Sequence, residues 1–197
     1  MKNDIVKLGV ILFIITAAAG LILSFSNSLT KDIIKKADEA ERSGPMVADT
    51  VVPGSVSIEE FDKELVEKIK FENEKLTDIR ACKDEKGNIL GYGITSKSPV
   101  KGYNGDIEII LGISVQGEIT GMKVTSHSET VGLGTGIEKP KFQDQFIGKE
   151  ADEQFIISKS AAKENDVEAI GGATFSSKSF VSAVNNAVKI YNEYLKK

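Results

Sequence analysis

Apolar residues occupy almost every position of the first long segment of the chain. From Val6 to Phe25 the sequence reads VKLGVILFIITAAAGLILSF, with Lys7 as its only charged residue. A helix of this length, at about 1.5 Å per residue, spans the roughly 30 Å hydrocarbon core of a bilayer. We therefore predict a transmembrane anchor over residues 1–28. The alternative is a cleaved signal peptide, because TAAAG offers small residues for cleavage, although the apolar run continues through LILSF beyond that point.

Charged residues interrupt the apolar pattern after the anchor. The segment SLTKDIIKKADEAERSG places Ile33, Ile34 and Ala37 among charges, which is typical of an amphipathic helix. We predict a stalk helix over residues 29–45 that ends at Gly44–Pro45, since glycine and proline disfavour helix continuation. Basic residues lie on both sides of the anchor, so the positive-inside rule does not set its orientation.

A second helical period follows in VSIEEFDKELVEKIK. Ser57 precedes Glu60 by three residues, which is the spacing of a capping box at a helix start. Apolar residues then recur at helical spacing at Phe61, Leu65 and Ile69. The pattern predicts a helix that begins at Ser57.

The period changes from helical to alternating at Leu76, which indicates strands. LTDIRACKD and ILGYGITS flank the turn sequence EKGN and predict a hairpin. Gln116–Gly117 then turns the next strand, DIEIILGISV, into EITGMKVTSHSE, so the sheet is predicted to be antiparallel with four or more strands. In DIEIILGISV the apolar residues alternate as one buried face of a sheet requires: Ile107, Ile109, Leu111, Ile113 and Val115.

The last segment returns to a helical period. Its apolar residues lie three and four positions apart and form one stripe: Phe180, Val184, Ala187, Val188, Tyr191 and Leu195. A terminal helix packed on an antiparallel sheet makes an α+β domain. The predicted fold is therefore an N-terminal transmembrane helix followed by one α+β domain over residues 46–197, with an antiparallel sheet and packed helices.

Composition excludes several classes of function. The chain has 25 basic and 29 acidic residues, a formal net charge of −4, and no cluster of Lys or Arg interleaved with aromatic residues, so nothing indicates nucleic-acid binding. Cys82 is the only cysteine and His127 the only histidine. This excludes an intrachain disulfide, a metal site built on Cys and His, and a Ser-His-Asp triad. We predict no metal site and no catalytic residue on this chain, so redox chemistry would require a cofactor.

The segment EAIGGATFSS, residues 168–177, lies just before the terminal helix, which is predicted to begin near Ser176. The start of a helix carries unpaired backbone N–H groups and a partial positive charge, which together favour a phosphate. Gly171 and Gly172 would let the backbone approach such an anion without interference from side chains. The alternative is a tight turn without a ligand, followed by a helix that Ser176 or Ser177 caps.

This segment resembles a flavinylation motif. AIGGATFSS is similar to the S/T-G-A-T motif of the FMN-binding domains in the G subunit of the Rnf electron transport complex and in the C subunit of the sodium-translocating NADH:quinone reductase. HSETVGLG, His127 to Gly134, resembles the H-x-E-T-P-G-L-G segment of these families, and KGYNGDIEIILGIS resembles the strand before it. The resemblance covers nearly the whole chain, and a length of 197 residues favours the Rnf G subunit over the longer C subunit.

The resemblance implies a cofactor and the residues that hold it. In these families a separate flavin transferase attaches FMN through a phosphoester bond to the threonine of the motif, which is Thr174 here. The residues expected around the phosphate are Gly171, Gly172, Ala173, Ser176 and Ser177. The residues expected against the isoalloxazine ring are Glu129, Thr130, Gly132 and Leu133.

Several of these residues have an alternative interpretation. The 127–134 loop can be a simple turn, with Leu133 packed into the core and Glu129 an exposed acid. Lys178 can contact the phosphate or lie on the solvated surface, and His127 is expected to be structural or on the surface. The family commonly has Ser or Thr, Asp, and Pro at three positions that are occupied here by Gly171, Glu168 and Val131.

The resemblance implies an electron carrier rather than a complete enzyme. The expected role is that of the G subunit in a membrane complex that couples electron transfer between ferredoxin and NAD to Na⁺ or H⁺ translocation. Expected partners are the other subunits, the flavin transferase during maturation, and membrane lipid, with the soluble domain outside the cytoplasm. The alternatives are a component like the C subunit of the quinone reductase, an anchored domain that binds an anion or a partner without a covalent cofactor, and a purely structural subunit.

Overall fold

The computed structural model describes residues 2–160 and 163–196, except for the side chains of residues 2–5, 32–43 and 45. The chain divides into two compact units, residues 1–41 and 42–197. Helix α1 runs over Lys2–Ser43. Within it, Val6–Lys31 has a mean hydropathy of 2.6 and is long and apolar enough to cross a membrane, a property that signal sequences share.

The backbone stays helical through the predicted stalk, and the helix ends at the glycine and proline that were predicted to stop it. Helix α1 stops at Ser43, and helix α2, Pro45–Val51, begins with proline at its first position. Gly44 between them has an extended backbone. The apolar stalk side chains Ile33, Ile34 and Ala37 lie outside the described residues.

Five antiparallel strands form the main sheet in the order β1-β2-β3-β4-β5. Each strand pairs with its neighbours in sequence, and both predicted hairpins are confirmed. The strands are Ser57–Glu60, Leu76–Lys83, Ile89–Lys97, Glu108–Ser114 and Ile119–Ser126. The other elements are helix α3 Lys63–Glu72, a 3-10 turn Gly134–Glu138, helix α4 Pro140–Gln143, the parallel pair β6 Ile156–Ser158 and β7 Asp166–Glu168, helix α5 Thr174–Ile190, and a π-helical turn Tyr191–Leu195. The predicted α+β class is therefore confirmed.

Helix α5 and the turn after it pack on one face of the sheet and build the larger core. Their apolar stripe from Phe180 to Leu195 is buried, as predicted. On the sheet side the core includes Ile109, Leu111 and Ile113, which are fully buried. The prediction that Val115 continues this face is wrong. It is 46% exposed, because the chain has already left the strand for the turn after Ser114.

The segment Ser57–Glu60 was predicted to start a helix with a capping box, and this is wrong. It forms strand β1 and pairs with β2. Ile58 is buried there against a second apolar layer, which favours the strand. Helix α3 begins after Asp62 instead, because the Asp62 carboxylate accepts hydrogen bonds from the backbone N–H groups of Glu64 and Leu65 at 3.0 and 3.1 Å.

The second apolar layer is made by the short helix α2, which the sequence pattern did not predict. The end of α2 reaches the backbone of the sheet because Gly112 and Gly121 have no Cβ. An added Cβ there would overlap the carbonyl oxygens of Val51 and Thr50, respectively. Thr120 Oγ1 also donates a hydrogen bond to Val51 O at 2.8 Å. As a result, all seven residues of β4 are buried.

Cys82 lies in this second layer and is fully buried. Burial raises the pKa of the Cys82 thiol to about 11, because a thiolate would be poorly solvated there. At neutral pH the thiol is therefore protonated and a poor nucleophile.

We predict that Gly112→Ala strongly destabilises the domain, because the new methyl group would overlap the Val51 carbonyl oxygen, which cannot rotate away. The expected loss in the free energy of unfolding is about 3 kcal/mol or more, measured by chemical denaturation. Gly93→Ala is the matched control, since Gly93 pairs with Gly112 and its added Cβ would meet only side-chain ends of Ile110 and Ile58 at 3.1 and 3.3 Å. Equal losses in the two variants would contradict the close docking of α2.

Candidate functional site

Helix α5 starts within the predicted motif, at Thr174 rather than near Ser176. The chain turns just before it, where Gly172 has a φ of +76°, a conformation that glycine adopts readily. No side chain among the described residues caps the helix, so the interpretation in which Ser176 or Ser177 caps it is wrong. An added Cβ at Gly171 would meet no atom within 4 Å, so packing does not require a glycine at that position.

Thr174 presents a free hydroxyl at the start of the helix. Its side chain is exposed, and the hydroxyl makes no hydrogen bond to the residues that the structure describes. The backbone N–H groups of Thr174, Phe175 and Ser176 also have no acceptor within residues 2–160 and 163–196, whereas that of Ser177 donates to Ala173 O at 3.0 Å. The first turn therefore offers free N–H donors beside an exposed nucleophilic oxygen.

Ser176 and Ser177 are almost completely buried and support the first turn from inside. Ser177 Oγ donates to Ala173 O and accepts from the backbone N–H of Ile170, both at 3.0 Å. This ties the glycine turn to the helix. Ser176 Oγ donates to Glu129 Oε2 at 2.5 Å. Lys178, which follows Ser177 in the helix, is exposed.

Glu129 is the buried acid of the site. It is only 6% exposed, so the interpretation as an exposed acid is wrong. Both carboxylate oxygens accept hydrogen bonds, Oε2 from Ser176 and Oε1 from the backbone N–H of Asn104 at 3.1 Å. Two glycines make room for the carboxylate, because an added Cβ would overlap Oε1 at Gly102 and would lie 2.7 Å from Oε2 at Gly134. Three separate segments of the chain thus meet at one carboxylate.

His127 supports the same loop. Its Nδ1 accepts a hydrogen bond from the backbone N–H of Glu129 at 3.0 Å, so the proton of the neutral ring is on Nε2. Nε2 lies 3.0 Å from Oε1 of Glu138. With both ring nitrogens engaged and the side chain 14% exposed, His127 has a structural role, which is one of the two roles predicted for it.

Leu133 separates two pockets beside the start of α5. One is a groove of about 360 Å³ formed by residues 132–136, residues 139–145 and residues 168–171. The other is a smaller pocket of about 170 Å³. Leu133 is 46% exposed and lines both pockets, so the interpretation in which it fills the core is wrong.

The residues predicted to hold the cofactor are distributed over these two pockets. Gly132 and Gly171 line the groove. Thr174 itself is adjacent in sequence to two residues of the smaller pocket, and Ser177 lines neither pocket. Besides Leu133, the predicted residues that line the smaller pocket are Glu129, Thr130, Gly172, Ala173 and Ser176.

Several residues of these pockets were not identified from the sequence, and four of them add charge or aromatic rings. Lys139 and Lys141 bring cationic side chains to the groove, on either side of Pro140. Tyr103 and Phe175 are exposed aromatic residues of the smaller pocket. The lysines form the pair in KPK, and the aromatic residues lie within the two segments that carry the family resemblance, but neither feature by itself indicates a ligand contact.

A hydrogen-bonded glutamine holds the far wall of the groove. Gln145 Oε1 accepts from the backbone N–H of Glu168 at 2.7 Å, and Gln145 Nε2 donates to Glu168 O at 3.3 Å. Both contacts use the backbone of Glu168, so they do not depend on its exposed side chain. Among the described residues no group of His, Cys, Asp and Glu side chains could hold a metal ion. The site therefore offers N–H donors, one hydroxyl and a partly apolar groove.

Comparison with known proteins gives consistent matches. Residues 102–189 match the family described as FMN-binding domain. The chain is 33% identical over 197 residues to the G subunit of the Na(+)-translocating ferredoxin:NAD(+) oxidoreductase complex of Acetobacterium woodii, covering 96% of this chain and 93% of that protein. It is 29% identical over 201 residues to the G subunit of the ion-translocating oxidoreductase complex of Shewanella baltica, covering 98% and 92%.

A solved structure shares the fold. The C subunit of the Na(+)-translocating NADH-quinone reductase from Parabacteroides distasonis superposes with a TM-score of 0.54 at 23% identity. The superposition covers 70% of this chain and 72% of that chain. At this identity the likeness concerns the fold alone.

Gly134→Ala is expected to disrupt the packing around the buried acid, because the new Cβ would lie 2.7 Å from Glu129 Oε2 and 2.8 Å from Ser176 Oγ. We expect the free energy of unfolding to fall by about 2 kcal/mol or more, since the carboxylate would lose a hydrogen bond while it remains buried. Gly171→Ala is the control, with open space and a change within about 0.5 kcal/mol. Chemical denaturation measures both, and a neutral Gly134→Ala would contradict the observed packing.

Proposed function

The chain belongs to the family of G subunits of ion-translocating oxidoreductase complexes, and from this premise we propose that it carries electrons within such a complex. The proposed complex couples electron transfer between ferredoxin and NAD to translocation of Na⁺ or H⁺. A component like the C subunit of the quinone reductase has weaker support, because that likeness is 23% identity over 70% of the chain, against 33% over 96% for the G subunit.

The free hydroxyl of Thr174 is the observation that carries the proposal. A phosphate attached to Thr174 Oγ1 would lie beside the unpaired N–H groups of Phe175 and Ser176, which can donate to its oxygens. The partial positive charge of the helix start favours the negative charge that the ester retains. The β-branch of threonine also restricts the directions in which the attached group can extend. The residues present therefore fit FMN bound through a phosphoester to Thr174.

Formation of this bond requires an activated flavin. We propose that a flavin transferase presents FMN as a phosphoanhydride. The bond from Thr174 Oγ1 to phosphorus forms as the anhydride P–O bond breaks, the second phosphate leaves, and the hydroxyl proton is released. The modified chain then exceeds the unmodified chain by the mass of FMN less one water. No oxidation or reduction occurs in this step.

The groove beside Leu133 is the proposed location of the flavin ring. Its volume of about 360 Å³ lies within the usual range of cofactor pockets, about 300–1,000 Å³, whereas the pocket of about 170 Å³ lies below that range. Leu133 and Ile170 supply apolar surface, and Lys139 and Lys141 place positive charge near the ring. When bound, FMN supplies the electron transfer that the described side chains do not. Contacts between the flavin ring and the smaller pocket, which Glu129 and Thr130 line, remain a prediction.

The remaining assignments follow from the same family membership. We propose that residues 1–28 anchor the chain in the membrane lipid, that residues 29–45 form a stalk, and that residues 46–197 form the FMN domain outside the cytoplasm. The apolar segment Val6–Lys31 supports the anchor. The proposed partners are the other subunits of the complex and, during maturation, the flavin transferase.

Attachment of FMN is tested by the intact mass of the chain purified from a host that contains its flavin transferase. We expect a mass gain of FMN less one water, mapped to the peptide that contains Thr174 and removed by strong alkali. Thr174→Ala should abolish the gain, because no acceptor hydroxyl remains. Thr50→Ala is the control, since Thr50 is an exposed threonine of α2 and should leave the gain intact.

Other outcomes would support the alternatives. A wild-type chain that shows no covalent flavin, or a Thr174→Ala chain that keeps it, would contradict the proposal. Flavin that is lost on denaturation would favour an anchored domain that binds an anion without a covalent cofactor. Full electron transfer by a complex that contains the flavin-free Thr174→Ala chain would favour a purely structural subunit.

A further inference from the structure

Glu129 is a buried carboxylate whose contacts all serve the site. Both of its oxygens accept hydrogen bonds, as an ionised carboxylate does, one from a side-chain hydroxyl and one from a backbone N–H group. No ion pair connects it to a cation within the part of the chain that the structure describes. Burial of a carboxylate is costly unless hydrogen bonds and local dipoles compensate. Here the start of α5 supplies both, through the Ser176 hydroxyl and the helix dipole.

The hydrogen bond from Ser176 to Glu129 constrains the orientation of the first turn of α5. Successive helical residues are about 100° apart, so residues two positions apart lie on roughly opposite sides of a helix. Ser176 faces inward and is 2% exposed, and Thr174, two residues earlier, faces solvent. Holding Ser176 against a buried acid therefore holds Thr174 outward.

The carboxylate is itself held by two loops, residues 102–104 and residues 127–134. Gly102 and Gly134 leave no space for a larger residue beside it, and the backbone N–H of Asn104 donates to it at 3.1 Å. The N–H of Glu129 is also held, by His127 Nδ1 at 3.0 Å. Two loops outside the helix therefore hold Ser176 in position.

We propose that Glu129 is a positioning residue for Thr174, acting through its hydrogen bond to Ser176 so that the Thr174 hydroxyl faces an incoming flavin phosphoanhydride. This inference rests on the proposed function. Glu129 need not touch the flavin for this role, because it acts on the geometry of the first helical turn. Loss of the bond would leave the acceptor hydroxyl present but less often in the orientation that reacts.

The test is the steady-state kinetics of flavin attachment to the full-length chain by purified flavin transferase with FAD, followed by intact mass. The variants are Glu129→Gln, whose amide oxygen can satisfy only one of the two donors, and Ser176→Ala, which removes the hydroxyl. We expect kcat for attachment to fall about ten- to a hundredfold in each, with KM for the chain changed by less than about threefold, since a misplaced reacting group slows the chemical step.

Two matched controls separate positioning from general effects of burial. Glu108→Gln changes another buried carboxylate, which accepts hydrogen bonds from the hydroxyls of Thr77 and Thr125 at 2.7 and 2.9 Å on the sheet. Ser179→Ala removes a buried hydroxyl of α5 that has no hydrogen-bond partner among the described residues. Both controls should keep the wild-type kcat for attachment, even if their melting temperatures fall.

The double variant Glu129→Gln with Ser176→Ala should lose no more than the more severe single variant, because both remove the same interaction. Wild-type kcat in Ser176→Ala, additive losses in the double variant, a loss confined to KM, or an equal loss in the controls would each overturn the positioning role. Ser176→Ala decides the question if Glu129→Gln does not fold. Absence of flavin attachment to the wild-type chain is a different result, which contradicts the proposed function itself.

Discussion

Burial of strand β4 on both faces is the constraint that organises this domain. Helix α5 covers one face with apolar side chains, and α2 covers the other by bringing its backbone against Gly112. Because the sheet holds most of α5, the first turn of the helix lies at the edge of the core. The buried side chains of Ser176 and Ser177 support this first turn locally. A rigid helix can therefore present a reactive group without that group contributing to stability.

The chemistry of the site follows from what the chain lacks. Its single histidine supports a loop and its single cysteine is buried, so neither of these two side chains lines the site. The proposed ester at Thr174 and the carboxylate of Glu129 are both negative and both lie near the start of α5. They occupy opposite sides of the helix, which limits their repulsion, and each interacts favourably with the helix dipole. A domain that relies on a cofactor can in this way hold the cofactor's attachment point in a defined position.

Sequence periodicity predicts β2 to β5 and α5 because each buries a continuous face, and the motif predicts where α5 starts to within two residues. It does not predict α2, a helix of seven residues whose docking depends on glycines far away in the chain. It misassigns Ser57, because the S-x-x-E pattern fits a strand as well, and the burial of Ile58 decides between them. The burial of Glu129 is equally hidden, since it depends on Gly102, in another loop, and on Ser176, in the terminal helix, as well as on Gly134 of its own segment.

The burial of Cys82 has a practical consequence for the study of the assembled complex. Its thiol is enclosed and protonated at neutral pH, so it does not compete for maleimide or methanethiosulfonate reagents. A cysteine introduced at an exposed position would then be the single reactive thiol of the chain, without a prior substitution in the core. Gly171, which has open space around its Cα, is such a position. Distance-sensitive spectroscopic probes attached there would measure distances from the glycine turn to neighbouring subunits.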